Sequence, residues 1–539
     1  MTADLSPRGR AANIARMSAE RLDILVVGGG VVGAAVAWDA ALRGLRTGLV
    51  ERGDFGSGTS GKTSRLIHGG LRYLRSARLG LVREAIRERD LLLRRAPALV
   101  RPIRFTIPSY RGRGPGPWTL RLGLFLYDIL SRDNVLTRHG WKRPTEIATV
   151  EPRLRRQGLR AAGVYYDART DDVRLVLAVV RAAAAAGAIV ANHTEVLELF
   201  RTGGHIRGAR ARDRVSDRPF DVEASVVVNA TGVWIDRLRG RTATRTVRPT
   251  KGVHVFVPRE RIGNHEGCVL TSPRDGRVLF VIPWGPLDLV GTTDTDYEAD
   301  WDRVVARRDE VDYLLEALND AFPGAELRIE DVVSAYAGLR PLLQGSRRGA
   351  NESDISRAHS VFEDPDGLVS IAGGKLTTMR AMAEDVVDLV CARLGRRVRS
   401  STKGAVLGPT ATPGRFAEMG FDMGTAVHLA SRHAPEDVEA SLTWPGATEP
   451  VLPGLPYVWV EVSIAVQCEM ATTLPDVLVR RLGIFYEAPV QGLTAARPVA
   501  ERLATYLGWD EDRIREEVSA YERLVAEHRA FRTEGGTDR

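Results

Sequence analysis

The chain has 539 residues, enough for about three to four domain-sized units, each able to bury a core. Hydrophobic residues make up 44%, the mean hydropathy is -0.15, and no apolar run reaches the roughly 18 residues that a spanning helix needs. Lys+Arg at 76 against Asp+Glu at 68 give a formal net charge of +8 and a pI near 9.5. That balance suits an anionic membrane surface or a phosphorylated substrate, whereas nucleic acid is excluded by the lack of any basic run interleaved with aromatics.

Residues 1–21 lack an apolar core and a small-residue cleavage site, so they read as an N-terminal extension with a short helical lead-in and a cytoplasmic start. Ile24 to Val27 then predicts a buried parallel strand. Gly28, Gly30 and Gly33 follow at G-x-G-x-x-G spacing, a small-residue helix comes next, and a second apolar strand ends at Glu51. This combination is a dinucleotide site: the pyrophosphate approaches a glycine turn at a helix N-terminus, and the carboxylate accepts from ribose hydroxyls.

GSGTSGKTSRLIHGGLRYL reads as a cofactor-contacting loop, and Leu81 to Arg95 as a charged helix ending before Pro97. In PSYRGRGPGPWTLRLGLFLYDIL, Arg111, Arg113 and Arg121 stand beside Trp118, Leu122, Leu124, Phe125, Leu126 and Leu130. The segment is either an interfacial helix or an amphipathic helix packed on the protein's own core. RTDDVRLVLAVVRAAAAAGAIVANHTEVLELF predicts helix, strand and strand with Gly187 as the helix cap, Gly203 and Gly204 a hairpin turn, and VEASVVVNATGVW a strand entering a glycine turn. HVFVP, RVLFVIPW and LDLVGTTD predict an antiparallel sheet that carries the substrate. From Thr402 the pattern becomes helices broken by proline and glycine, a separate C-terminal helical domain, with a disordered tail HRAFRTEGGTDR. Cys268, Cys391 and Cys468 are far apart, so reduced thiols and no metal site are expected. There are five lysines, and Lys62, Lys251 and Lys375 lie in glycine-rich motifs where a compact ammonium has a use that arginine does not serve.

In order and spacing, GGGVVG, SRLIHGGLRYL, VNATGVW, KGVHVFVP, IPWG with GTTDTDY, AGLRPL and AGGKLTTMR resemble the FAD-dependent glycerol-3-phosphate dehydrogenases over roughly Leu22 to Ala383. EMATTLPDVLVRR is similar to that family's helical cap. The resemblance implies a Rossmann-type α/β FAD-binding domain of the glycine/D-amino-acid oxidase-like group, discontinuous over about 22–75, 150–245 and 330–400. It also implies an antiparallel-sheet substrate domain over about 76–149 and 246–329 and a cap over 401–539. The implied reaction is oxidation of sn-glycerol 3-phosphate to dihydroxyacetone phosphate by hydride transfer to FAD, with electrons passed to membrane quinone by a protein peripheral on the inner face of the cell membrane.

Such chemistry needs a phosphate clamp, a base for the hydroxyl proton and charge beside the developing ketone. Carried onto the matching motifs, the catalytic candidates are His254, Arg340 and Lys375, and the substrate-binding candidates are Arg72, Tyr73, Thr293 and Arg357. Cofactor contacts are expected from Gly28, Gly30, Gly33, Glu51, Thr63, Ser64, Gly69, Gly70, Gly232, Gly374, Leu376 and Thr377. Arginine forks match phosphate oxygens in pairs, and a neutral histidine can take a proton. No second unit of strand, G-x-G-x-x-G turn and helix appears downstream, so electrons are expected to leave directly from the flavin. The acceptor stays open between quinone and dioxygen, as do the identity of the base and a homodimer. The alternative of another class is a non-catalytic flavin-binding interaction module.

Overall fold

The computed structural model describes residues 3–76, 78–131, 135–240, 245–344 and 359–533. Its first sheet is built around Leu22–Val27, a strand buried at every position, whose apolar run Ile24 to Val27 suits a parallel sheet covered on both faces. The parallel order is Val369–Gly373, Arg218–Asn229, Leu22–Val27, Thr47–Val50 and Ile189–Ala191. Alternation along the central strand sorts the two layers. Ile24 and Val26 face helices Val31–Leu42, Asp172–Ala185 and Met379–Arg393, whereas Leu25 and Val27 join Met17 of helix Pro7–Ala19 and the hairpin Thr194–Thr202/His205–Asp213.

The second sheet has ten described strands and is mostly antiparallel. At its centre Val247–Pro258 pairs with Leu287–Gly291 on one side and Ser334–Leu343 on the other. Val253, Val255 and Val257 pack on the side of helix Arg308–Ala321, and Phe256 on the opposite face. Leu159–Thr170 and Ser334–Leu343 fall within segments expected in the FAD-binding part, yet their long antiparallel registers with Val100–Tyr110 and Val247–Pro258 put them in this sheet. Partner choice between strands lies in register, which no single strand displays.

Helix Pro117–Leu130 lies across the second sheet. Leu120, Leu124 and Tyr127 face inward, and Leu124 touches the space a side chain on Gly163 would need. Trp118, Leu122, Phe125, Leu126 and Ile129 face outward, Trp118 with 80% of its surface exposed. Leu124, which the interfacial alternative would turn toward lipid, is fully buried: helical periodicity groups it with Leu120 and Tyr127 rather than with Phe125. Among the described residues no helix is long and apolar enough to cross a membrane.

The C-terminal helices begin at Pro413 and are less separate than expected. Phe416, Leu429, Val438 and Ile464 form a small cluster of their own, but Leu482, Phe485 and Tyr486 share one core with Phe256, Leu289 and Tyr336 of the second sheet. Asp54, just past Glu51, is clasped by Arg481 at 2.6 and 2.9 Å and by Arg480 at 2.6 Å. Asp54, His193 and Asp476 come within ligand reach of one another, but guanidiniums already hold both Asp54 oxygens. The tail expected to be disordered is folded through Thr533. His528 and Arg529 end helix Glu511–Arg529, and Phe531 is fully buried in the core beneath helix Arg308–Ala321. One aromatic side chain with a cavity to fill outweighs a polar local composition.

Candidate active site

A cleft of about 1050 Å³ runs between the two sheets, walled by Gly28, Gly30, Glu51, Thr63, Gly232, Gly338, Gly374, Lys375 and Leu376 among others. At its first turn Gly28 has φ +112°, and a Cβ there would lie 2.6 Å from the Ala230 carbonyl oxygen. Gly33 stands behind this turn, where a Cβ would come within 1.8 Å of the Gly28 oxygen, so helix and strand close only without a side chain. The carboxylate of Glu51 accepts from the peptide N–H groups of Gly29 (2.6 Å) and Gly53 (2.8 Å), and its burial raises its pKa.

The loop after Glu51 carries the cleft toward the second sheet. Ser60 Oγ accepts from the Val31 N–H at the helix start, Thr59 donates to the Leu339 carbonyl, and Lys62 lies against Gly338. Burial, with Arg480 nearby, brings the Lys62 pKa down to about 8. Lys251, by contrast, spends its charge on Glu310 at 2.7 Å, which makes it a structural lysine.

The pleat of the second sheet brings the candidate side chains His254 and Arg340 to one face. Thr250 is paired with Arg340, Gly252 with Gly338 and His254 with Tyr336, so these residues alternate onto one face. The Arg340 guanidinium lies over Gly252, where a Cβ would meet it at 2.3 Å. It donates to Asp294 (2.8 Å), to Thr292 Oγ1 (2.9 Å) and to the Thr293 carbonyl (3.3 Å). Thr293 itself is buried, its hydroxyl accepting from the Val253 N–H at 2.9 Å, so it ties the segment after Leu287–Gly291 to Val247–Pro258 and offers Arg340 only its carbonyl.

His254 stacks on Tyr336 at 4.9 Å with the rings 15° apart, and its Nε2 lies 2.8 Å from Ser64 Oγ. Burial foremost, then the Arg340 and Arg65 charges, hold its pKa well below the ordinary 6.5, so the ring is neutral at pH 7.

The HGGLRYL turn meets the GGKLTT turn beside this face. Lys375 Nζ sits 4.0 Å above the Tyr73 ring, close to Gly70, and buried Thr377 accepts from the His68 N–H at 3.1 Å. Gly69 donates to Asp167 (3.0 Å), which Arg89 and Tyr127 also hold at 2.8 Å each. Arg72 lies on the turn Leu71–Ser76, but its side chain is outside the described residues, as is the whole of Arg357.

A glycine turn too tight for side chains, a carboxylate at the end of the next strand and a long cleft reaching a lysine fit a dinucleotide that carries a reactive ring. The chain matches the family "FAD dependent oxidoreductase" over residues 23–389 and the family "C-terminal domain of alpha-glycerophosphate oxidase" over residues 401–514. It is 39% identical to "Glycerol-3-phosphate dehydrogenase" of Mycobacterium leprae over 97% of this chain and 91% of that protein. It is 33% identical to "Aerobic glycerol-3-phosphate dehydrogenase" of Staphylococcus saprophyticus over 91% and 92%. The crystal structure of the glycerol-3-phosphate dehydrogenase from Bacillus halodurans complexed with FAD superposes with a TM-score of 0.82 at 29% identity, covering 99% of this chain and all of that one.

The chain belongs to the FAD-dependent glycerol-3-phosphate dehydrogenase family. FAD is therefore the dinucleotide, and the fold is that of the FAD-dependent oxidoreductases with a helical C-terminal part.

Two features of this family member escape sequence reasoning. One is Tyr336, which stacks on His254 and donates to the Thr63 carbonyl at 2.6 Å; it appears in the sequence only as one more strand aromatic. The other is Arg65, buried with φ +54° and lying over the rings of Trp284 (4.4 Å), Tyr486 (5.2 Å) and Phe256 (5.4 Å). The left-handed backbone of a non-glycine residue costs on the order of 1 kcal/mol, offset here by three aromatic faces from separate segments.

Proposed function

We propose that this protein oxidises sn-glycerol 3-phosphate to dihydroxyacetone phosphate and passes the electrons to a membrane quinone while docked peripherally on an anionic membrane surface, on the inner face of the cell membrane. FAD, when bound, supplies the acceptor for the hydride from carbon 2. Gly28, Gly30, Gly33 and Gly232 shape its phosphate and ribose path, Glu51 receives the ribose hydroxyls, and Thr63, Ser64, Gly69, Gly70, Gly374, Leu376 and Thr377 form or brace the walls around the ring. Arg340, held at the angle set by Asp294 and Thr292, reads the substrate phosphate with Arg72 and Arg357. Tyr73 and Thr293 shape the pocket. Lys375 places a positive charge where negative charge develops, and neutral His254 takes the hydroxyl proton.

The observation that carries the membrane half of this reading is the outward row Trp118, Leu122, Phe125, Leu126 and Ile129 on a helix whose other face is core. An exposed apolar row with an aromatic near one end suits the boundary between headgroups and acyl chains. The dioxygen-using alternative has the C-terminal family match on its side. One experiment tests both halves. Anaerobic glycerol 3-phosphate should bleach the flavin, and reoxidation should be faster with a quinone analogue in vesicles than with dissolved oxygen. Failure to bleach refutes the substrate, and faster reoxidation by oxygen refutes the quinone.

A further inference from the structure

His254 lies too deep for direct contact with a substrate: only 2% of its surface is exposed, and its ring is covered by Tyr336. Its Nδ1 is buried without a hydrogen-bond partner, so the only polar exit from the imidazole is Nε2, and that atom faces Ser64 Oγ at 2.8 Å. Ser64 is half-buried and follows Thr63, a wall residue of the cleft. Of the two side chains the serine is therefore the more exposed, with the histidine behind it.

The pair is held from several directions. Asp172 accepts from both the N–H (3.0 Å) and the hydroxyl (2.9 Å) of Thr63, and Tyr336 donates to the Thr63 carbonyl while stacking on the imidazole. One tyrosine thus sets the height of the serine and of the histidine together. A hydroxyl locked against a neutral, buried imidazole is the arrangement by which a serine gives up its proton to a base.

We propose that Ser64 is a catalytic residue that relays the hydroxyl proton of the substrate to His254. This rests on the reading of the site as one that oxidises a secondary alcohol. The proton on the carbon-2 hydroxyl passes to Ser64 Oγ as the proton of Ser64 passes to His254 Nε2. The hydrogen on carbon 2 leaves with its electron pair to FAD, and the electrons of the broken O–H bond close the carbonyl. The serine ends unchanged, the substrate has lost one proton and one hydride, and the imidazole is left protonated. Burial foremost, then the Arg340 and Arg65 charges, destabilise that imidazolium, so the proton is not retained on His254 between turnovers.

The test compares FAD-loaded Ser64→Ala, Ser64→Thr and His254→Gln in anaerobic stopped-flow reduction by glycerol 3-phosphate. Ser64→Ala should slow the limiting rate of flavin reduction by about 10²–10³-fold. FAD content, the visible flavin spectrum and the half-saturating substrate concentration should stay within about two-fold, and Ser64→Thr, which keeps a hydroxyl, should recover most of the rate. The wild-type rate should fall at low pH as His254 becomes protonated, and Ser64→Ala should lose that limb.

A Ser64→Ala rate near wild type beside a slow His254→Gln overturns the relay and leaves His254 as a direct base. Near wild-type rates in both overturn the base assignment itself, and a Thr variant as slow as the Ala variant overturns the relay. Independently of turnover and of variant folding, ¹⁵N-histidine NMR of the wild-type holoenzyme should find Nε2 of His254 unprotonated and accepting from Ser64. An Nε2–H donor would overturn the proposal.

Discussion

The two ends of the cleft are built from different materials. The nucleotide end is backbone and empty space: Gly28 and Gly33 work because they have no side chain, and Glu51 is fixed by peptide N–H groups at 2.6 and 2.8 Å. The end where we place the substrate gathers side chains from distant segments, with His254, Arg340 and Lys375 held by Tyr336, Asp294 and Tyr73. A rigid backbone cradle responds steeply to added volume, whereas a side-chain cluster responds to lost geometry. The variants below separate these two kinds of failure.

The largest effect is expected where a methyl group enters the cradle. Gly33→Ala would put a Cβ 1.8 Å from the Gly28 oxygen, which only a shift of the turn can relieve. FAD retention should fall by about 100-fold or more, since the turn and the helix N-terminus move together. Flavin absorbance per chain, read beside circular dichroism to show a folded protein, checks this; a fully flavinylated variant would mean that the turn yields freely.

At the other end, Arg340→Lys keeps the charge and loses the fork that Asp294, Thr292 and the Thr293 carbonyl orient. The drop in kcat/KM for glycerol 3-phosphate should be about 100-fold, near 3 kcal/mol, with little change for unphosphorylated glycerol and none in FAD content. Equal losses on both substrates would show that this arginine does not read phosphate.

This division also governs what a reader of the sequence can see. The nucleotide end was legible because strand, glycine turn, helix and Glu51 lie within one stretch of about 30 residues whose spacing has one physical meaning. The residues proposed for the substrate end could be named only through resemblance. That Gly252 makes room for Arg340, or that Tyr336 lies beside His254, is a property of the register between Val247–Pro258 and Ser334–Leu343, which neither strand carries alone. The Arg65 cage and the burial of Phe531 are likewise set by partners hundreds of residues away in the chain. Helix Pro117–Leu130 was legible as amphipathic, but so many of its residues are apolar that Leu124 could not be assigned to the inner face without its neighbour Gly163.

That helix yields the next contrast, between adjacent residues of similar hydrophobicity. Phe125 exposes 53% of its surface and Leu124 none. Phe125→Ser should weaken binding to anionic vesicles by about ten- to thirty-fold, the cost of roughly 1.5–2 kcal/mol of apolar burial, and leave the melting temperature unchanged. Leu124→Ser should lower stability by about 3 kcal/mol, read in denaturant unfolding, through the cavity it leaves. Unaltered vesicle binding in Phe125→Ser would return the outer face to ordinary surface.

The smallest effect concerns charge within the backbone cradle. Glu51 is half-buried at the cleft wall, and its desolvation, reinforced by Asp54, raises its pKa above the ordinary 4.5 despite the Gly29 and Gly53 N–H groups and Arg52. For the ligand-free chain the sign follows directly: the folded state holds a proton that the unfolded chain has released, so this group's contribution to stability declines as pH rises from 4.5 to the raised value. As proposed, ribose hydroxyls would donate to the ionised carboxylate and favour it, so FAD binding should be tightest above that raised pKa and weaken as pH falls through it. Glu51→Gln keeps the shape and one acceptor but sets an NH₂ group against a peptide N–H. FAD affinity at neutral pH should drop only about three- to ten-fold, and its dependence on pH in the acid range should flatten. Titrating apoprotein with FAD at several pH values measures both. A steep acid dependence that survives in Glu51→Gln would place the titrating group elsewhere and leave Glu51 as a brace for the Gly29 and Gly53 peptides rather than a ribose acceptor.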